Sequence, residues 1–328
     1  MPTPTEHRRW RLQRELMQTD PDSGVDTRVL GLLRGHHASS HRVVTEDGTS
    51  ISYKRFGSGE HTVAFCNGLG GTYRTFAEVI SRLLPNVQAI VFDYRGLFES
   101  GPPGDPEALG VDAHARDLFA VLDDAGVQKA TVFGWSMGVQ VALEAYRIAP
   151  ERLDGLVFAS GVEGKVLESV LVIPGSPELS LKLLSLIAER GGTATQLLAR
   201  TCRTSAVKSI ARRLGLVGRN ADVTMEHAAL MLSCDPNVYL RIIERLHQHD
   251  ASDLLSQIAV PTLILHGDSD VITPVWKGRA MRAKVPDSEI WVFAGCTHGV
   301  ILEFPERVSA RVEDFLQRRV YPATKAPR

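Results

Sequence analysis

Val132-Phe-Gly-Trp-Ser-Met-Gly-Val-Gln140 sets a serine between two glycines, with an apolar, β-prone run before it and a helix-forming run after it. In this G-x-S-x-G setting the serine is expected on a sharp strand-to-helix turn, where glycines two residues to either side let neighbouring chain approach. Such a turn exposes the Ser136 hydroxyl at the end of a strand. It also aims the free backbone N–H groups of a helix starting near Met137 at any oxyanion forming there. The flanks give the pattern its weight, since a bare G-x-S-x-G is common by chance.

Outward from this turn, short apolar runs recur without polar alternation at 62–66, 89–92, 130–133, 156–159, 261–265 and 289–293. Runs of this kind are strands buried on both faces, and such strands are usually parallel. Helix-period stretches at 75–84, 111–124, 137–148 and 305–318 alternate with them. The rhythm predicts an α/β fold with a mostly parallel, doubly wound sheet. Ahead of it, β-prone segments at 41–45 and 50–54 flank Glu46-Asp-Gly48, which predicts an antiparallel hairpin opening the sheet.

Between 160 and 251 the rhythm stops. Leucine-rich helical patterns at 179–187, 194–198, 206–216 and 239–246 follow one another, broken by Pro174-Gly175 and Gly191-Gly192. A helical block of about 90 residues inserted into such a sheet is expected to cover the edge where loops follow strands. The predicted organisation is an N-terminal extension at 1–40, a core made of 41–160 and 251–328, and an inserted α-helical lid at 161–250. The extension is polar, with a short helix expected around 10–17, and is read as a docking segment.

Composition narrows the function. Thirty-seven Lys plus Arg against 38 Asp plus Glu, over 328 residues with 44% apolar content, describe a globular chain of net charge −1. Nothing there draws it toward nucleic acid or anionic lipid, so the expected partner is a small molecule. Cys66, Cys202, Cys234 and Cys296 are scattered and lack a CxxC pair, so they read as reduced core thiols. The basic N-terminus lacks the apolar stretch of a secretory signal, and no run is long enough to span a membrane. A cytoplasmic address is expected; the oligomeric state is left open.

With its landmarks in this order, the chain resembles the α/β-hydrolase superfamily over roughly residues 41 to 320. Asn67-Gly-Leu-Gly-Gly71 is similar to the family's His-Gly oxyanion loop, with Asn67 in place of the usual His. By that likeness the Leu69 and Met137 N–H groups would hold a developing alkoxide, with Asn67, Gly68 and Trp135 touching substrate. Asp93-Tyr-Arg-Gly-Leu-Phe-Glu-Ser100 resembles the family's D-x-R-G-x-G-x-S loop, with Phe98 where a glycine is common. His266-Gly-Asp-Ser-Asp-Val-Ile-Thr-Pro274 resembles the acid-bearing loop, which makes Asp270 the implied acid. Ala294-Gly-Cys-Thr-His-Gly299 puts His298 at the family's base position. The resemblance thus implies Ser136 as nucleophile, His298 as base and Asp270 as the group orienting it, with no metal or organic cofactor.

Blander roles compete for several of these residues. Asp268 could cap its loop or serve as the acid itself, and Glu163 is a third acid candidate because some members of the fold place the acid there. His266 is expected to pack at a strand end, and His247 with His249 lack the carboxylate company of a metal site. A serine at the elbow argues against dehalogenases and epoxide hydrolases, whose elbows carry Asp. What remains is a serine carboxylesterase, with a lactonase, a thioesterase, a C–C bond hydrolase or a ligand receptor that keeps the triad as alternatives. Arg200, Arg203, Arg212 and Arg213 keep the C–C hydrolase open, because its dienoate carboxylate calls for basic residues.

Overall fold

The computed structural model describes residues 31–33, 36, 38–84, 86–105, 107–168, 201, 202 and 204–321. Eight strands form one sheet: β1 (Ser39–Val44), β2 (Ser50–Phe56), β3 (His61–Cys66), β4 (Val87–Phe92), β5 (Ala130–Trp135), β6 (Leu153–Ala159), β7 (Thr262–Gly267) and β8 (Ser288–Phe293). Their order is β1-β2-β4-β3-β5-β6-β7-β8. The predicted hairpin pairs β1 with β2 antiparallel, turning at Gly48 with φ 79°, and β2 joins β4 antiparallel. From β4 onward every pairing is parallel.

Unbroken apolar runs become central strands because both faces are covered. Ala64, Ile90, Val132 and Phe158 enter one core cluster, while Val63, Ala89, Phe133 and Val157 enter another. The first cluster packs under α2 (Val111–Asp124) and α3 (Met137–Ile148), and the second under α1 (Tyr73–Leu83) and α9 (Pro305–Phe315). Phe65, Phe76 and Phe133 interlock there with ring centroids 4.9 to 5.3 Å apart. Each such fully buried side chain contributes roughly 1.5–3 kcal/mol. The helix predicted at 305–318 stays α-helical only to Phe315 and closes in a π turn over Leu316–Val320.

Between β6 and β7 lie α4 (Ser205–Arg213), α5 (Ala221–Ser233) and α6 (Pro236–Gln248); α7 (Val275–Lys284) and α8 (Val300–Glu303) follow β7 and β8. The strands on either side of this interval stay hydrogen-bonded neighbours, and the chain leaves and returns side by side. Gly164 bridges Asp250, the Lys165 N–H donates to the His249 carbonyl, and Ala251 donates to Glu163. The predicted patterns at 206–216 and 239–246 correspond to α4 and α6. Those at 10–17, 179–187 and 194–198 lie outside the described residues. Among the described residues no helix is long and apolar enough to cross a membrane. All four cysteines are buried and free.

Candidate active site

Ser136 caps α3 at φ 55°, ψ −117°, a backbone region that residues other than glycine rarely occupy. The turn can be this tight because a Cβ on Gly134 would meet the Gly138 carbonyl oxygen at 2.2 Å, and one on Gly138 would meet that of Cys66 at 2.0 Å. The Ser136 N–H donates to Ala159 on β6, which fixes the turn to the sheet.

The loops after β7 and β8 end beside it. His298 Nε2 lies 2.9 Å from Ser136 Oγ, and His298 Nδ1 lies 3.0 Å from Asp270 Oδ2. A carboxylate can only accept, so Nδ1 carries the proton and Nε2 is left to accept from the serine hydroxyl. Asp270 is buried and held from below: Ile272 and Thr273 donate backbone N–H groups at 2.9 Å, and the Thr273 hydroxyl donates at 2.8 Å. Burial, its largest influence, pushes its pKa up, but His298 and these donors outweigh burial and leave it below the ordinary carboxylate value. Thr273 Oγ1 also lies 3.2 Å from His298 Nδ1, a contact the sequence reading did not name.

The competing acids sit elsewhere. Asp268 is exposed and accepts from the Ser269 hydroxyl and the Gly295 N–H. Glu163 faces Lys277 at 3.6 Å. His266 donates to the Gly161 carbonyl at 3.3 Å inside the core, where burial lowers its pKa to about 4. His249 is bound by Gln140 and Glu144 on α3, and no group of three or more metal-ligating side chains occurs among the described residues.

Ser136 and His298 open on a cavity of about 550 Å³. Its floor includes Gly68, Leu69, Trp135 and Met137, and its roof comes from α4, α5 and α6, with Ile210, Met225, Met231, Tyr239 and Leu246 facing in. Among the described residues the wall contains no Lys, Arg, Asp or Glu. Asn67, expected to touch substrate, does not line it. The shorter amide is fully buried and donates from Nδ2 to the Phe92 carbonyl at 3.0 Å, bracing its loop against β4. Phe98 takes up the glycine-like backbone its position demands, with φ 51°.

Two further residues were missed. Glu303, buried at the end of α8, accepts from the Thr297 hydroxyl, and one oxygen lies 3.4 Å from the backbone N–H groups of both Thr297 and Arg219. With Asn220 Nδ2 donating to the Leu302 carbonyl at 2.6 Å, it ties the residue before His298 to the segment that starts α5. His227, on α5, packs its ring edge-on against Trp135 at 4.9 Å and lines the cavity. Its helix escaped notice because α5 carries buried residues on more than one side, including Ala221, Met225, His227 and Leu230, which blurs the helical period.

Comparison with known proteins gives a consistent outcome. A model of the alpha/beta hydrolase family matches residues 63–311. A 2-hydroxy-6-oxononadienedioate/2-hydroxy-6-oxononatrienedioate hydrolase from Burkholderia vietnamiensis is 26% identical over 297 residues, covering 84% of this chain and 94% of its own. A poly(3-hydroxyalkanoate) depolymerase from Ectopseudomonas oleovorans is 26% identical over 264 residues, covering 80% of this chain and 86% of its own. Among solved structures, an esterase from Exiguobacterium antarcticum superposes with a TM-score of 0.69 at 22% identity, covering 84% of this chain and 98% of its own. The enol-lactonase from Burkholderia xenovorans LB400 does so with a TM-score of 0.69 at 18% identity, covering 84% of this chain and 100% of its own. These last two share the fold.

Proposed function

The chain belongs to the alpha/beta hydrolase family, and from that premise we propose that it is a serine carboxylesterase acting on uncharged esters. The observation that carries this reading is the hydrogen-bonded run from Ser136 through His298 to Asp270, opening on an apolar cavity. In the proposed cycle Ser136 Oγ attacks the ester carbonyl carbon while His298 Nε2 takes its proton. His298 then returns that proton to the leaving alkoxide, and the acyl group stays on the serine. Water, deprotonated by His298, attacks the acyl carbon and releases the acid. Asp270 holds the imidazole and steadies its positive charge without being protonated. The Leu69 and Met137 N–H groups are assigned to the tetrahedral oxyanion, where losing one such donor costs ~3 kcal/mol of barrier. The reaction needs neither metal nor organic cofactor, and residues 161–250 are assigned the role of a lid over the acyl chain.

The described side chains over the cavity, Ile210, Met225, Met231 and Leu246 among them, are apolar and suit the chain of a neutral ester. Of the four arginines that kept a dienoate substrate open, Arg212 and Arg213 are exposed on α4 and are not part of the described wall, while Arg200 and Arg203 lie outside the described residues. The test is labelling with a fluorophosphonate, followed by turnover of matched esters, lactones and thioesters. Labelling of the wild-type chain but not of Ser136→Ala, with esters turned over fastest, is expected. Equal labelling of both proteins would reject the nucleophile, and faster turnover of lactones or thioesters would reassign the substrate.

A further inference from the structure

We propose that His227 is a substrate-binding residue, whose Nε2–H donates to an acceptor oxygen carried by the ester chain at a point separate from the scissile group. This rests on the acyl-hydrolase reading for the identity of the ligand as an ester, and adds a specificity element to it.

The tautomer follows from the neighbours. His227 Nδ1 lies 3.4 Å from Thr75 Oγ1, and that oxygen already accepts the Thr72 N–H at 3.3 Å as part of the cap of α1. The hydroxyl proton of buried Thr75 therefore has His227 Nδ1 as its acceptor among the described residues, which makes Nδ1 the unprotonated nitrogen. Nε2 then carries the hydrogen. Among the described residues the ring's one hydrogen bond is that at Nδ1, which leaves Nε2 to the cavity that the ring borders together with Ser136 and His298.

Burial, and secondarily the nearby His298, lower the His227 pKa to about 4, so the ring is a neutral donor at physiological pH. A neutral N–H in a wall that is mostly apolar selects for an uncharged oxygen, since a donor that stays unpaired on ligand binding loses its hydration without return. The matching substrate is an ester whose chain carries an ether, keto or second ester oxygen.

The experiment compares esters in which successive chain methylenes are replaced by oxygen with their all-carbon parents. Dissociation constants are measured by calorimetry on Ser136→Ala protein, which leaves the esters intact. One oxygen position is expected to bind about fivefold tighter than the parent, and the advantage is expected to vanish in Ser136→Ala/His227→Phe. No preference at any position, or a preference that survives in the double variant, overturns the proposal. Nitrogen-15 NMR of histidine-labelled wild-type protein reads the tautomer whether or not that variant folds: Nε2–H is expected, and Nδ1–H overturns it. Turnover of the same esters by the wild type separates the two readings. A binding preference without turnover keeps His227 and removes the esterase; turnover without preference does the reverse.

Discussion

The Trp135 indole Nε1 donates to the backbone carbonyl of His298 at 3.1 Å, so the residue before the serine holds the loop that carries the histidine. Trp135→Phe keeps a ring in place but removes this donor. It is expected to lower kcat/KM for a p-nitrophenyl ester by roughly ten- to a hundredfold, the scale of a small misplacement of a catalytic group. Steady-state kinetics alongside circular dichroism checks it; unchanged kinetics would show that the loop holds itself.

The two carboxylates of the loop after β7 should separate cleanly. Asp270→Asn presents an amide to His298 Nδ1 and is expected to cost about 10⁴ in kcat, as loss of the correct tautomer does elsewhere. Asp268→Asn alters an exposed turn held by Ser269 and Gly295 and should stay close to wild type. A reversed ranking would move the acid role to Asp268.

Glu303 offers a stability test. Glu303→Ala leaves the buried Thr297 hydroxyl without its acceptor and is expected to destabilise the fold by about 1–3 kcal/mol in urea unfolding. Gly218→Ala attacks the same contact from the other side, because its Cβ would sit 2.0 Å from Glu303 Oε2. Both variants should shift the midpoint in the same direction, and wild-type behaviour from either would discount the tie.

Three histidines buried among the described residues set a pH dependence. Burial lowers the pKa of His114 to about 3 and those of His227 and His266 to about 4, all below the ordinary 6.5. The unfolded chain therefore takes up these protons first, so their stabilisation is complete above about pH 6.5 and is lost as pH falls toward the folded values. Between about pH 6 and 4.5 each should contribute a slope of about 1 kcal/mol per pH unit. His114→Leu should reduce the slope by one such increment; an unchanged slope would mean that His114 is protonated in the native state.

The sheet was legible because its signal is local. Buried parallel strands write themselves as apolar runs, and β3, β5, β6 and β7 fall where those runs do. That Ser136, His298 and Asp270 come within hydrogen-bonding distance was legible through motif context, each lying just past a strand. Glu303 and His227 were not, because their meaning lies in contacts across the fold: a carboxylate meeting Arg219, and an imidazole meeting Thr75. Asn67 misled for a related reason. Its place in the loop pointed to the cavity, whereas its short amide reaches the neighbouring strand.

The elbow backbone, at φ 55° and ψ −117°, sets activity against durability. Glycine adopts those angles without penalty, so Ser136→Gly should give a dead protein that melts at a higher temperature than the living one. The conformation that presents the hydroxyl is a local debt carried by the rest of the molecule, and the chain holds it only because the surrounding sheet is stable enough to bear it.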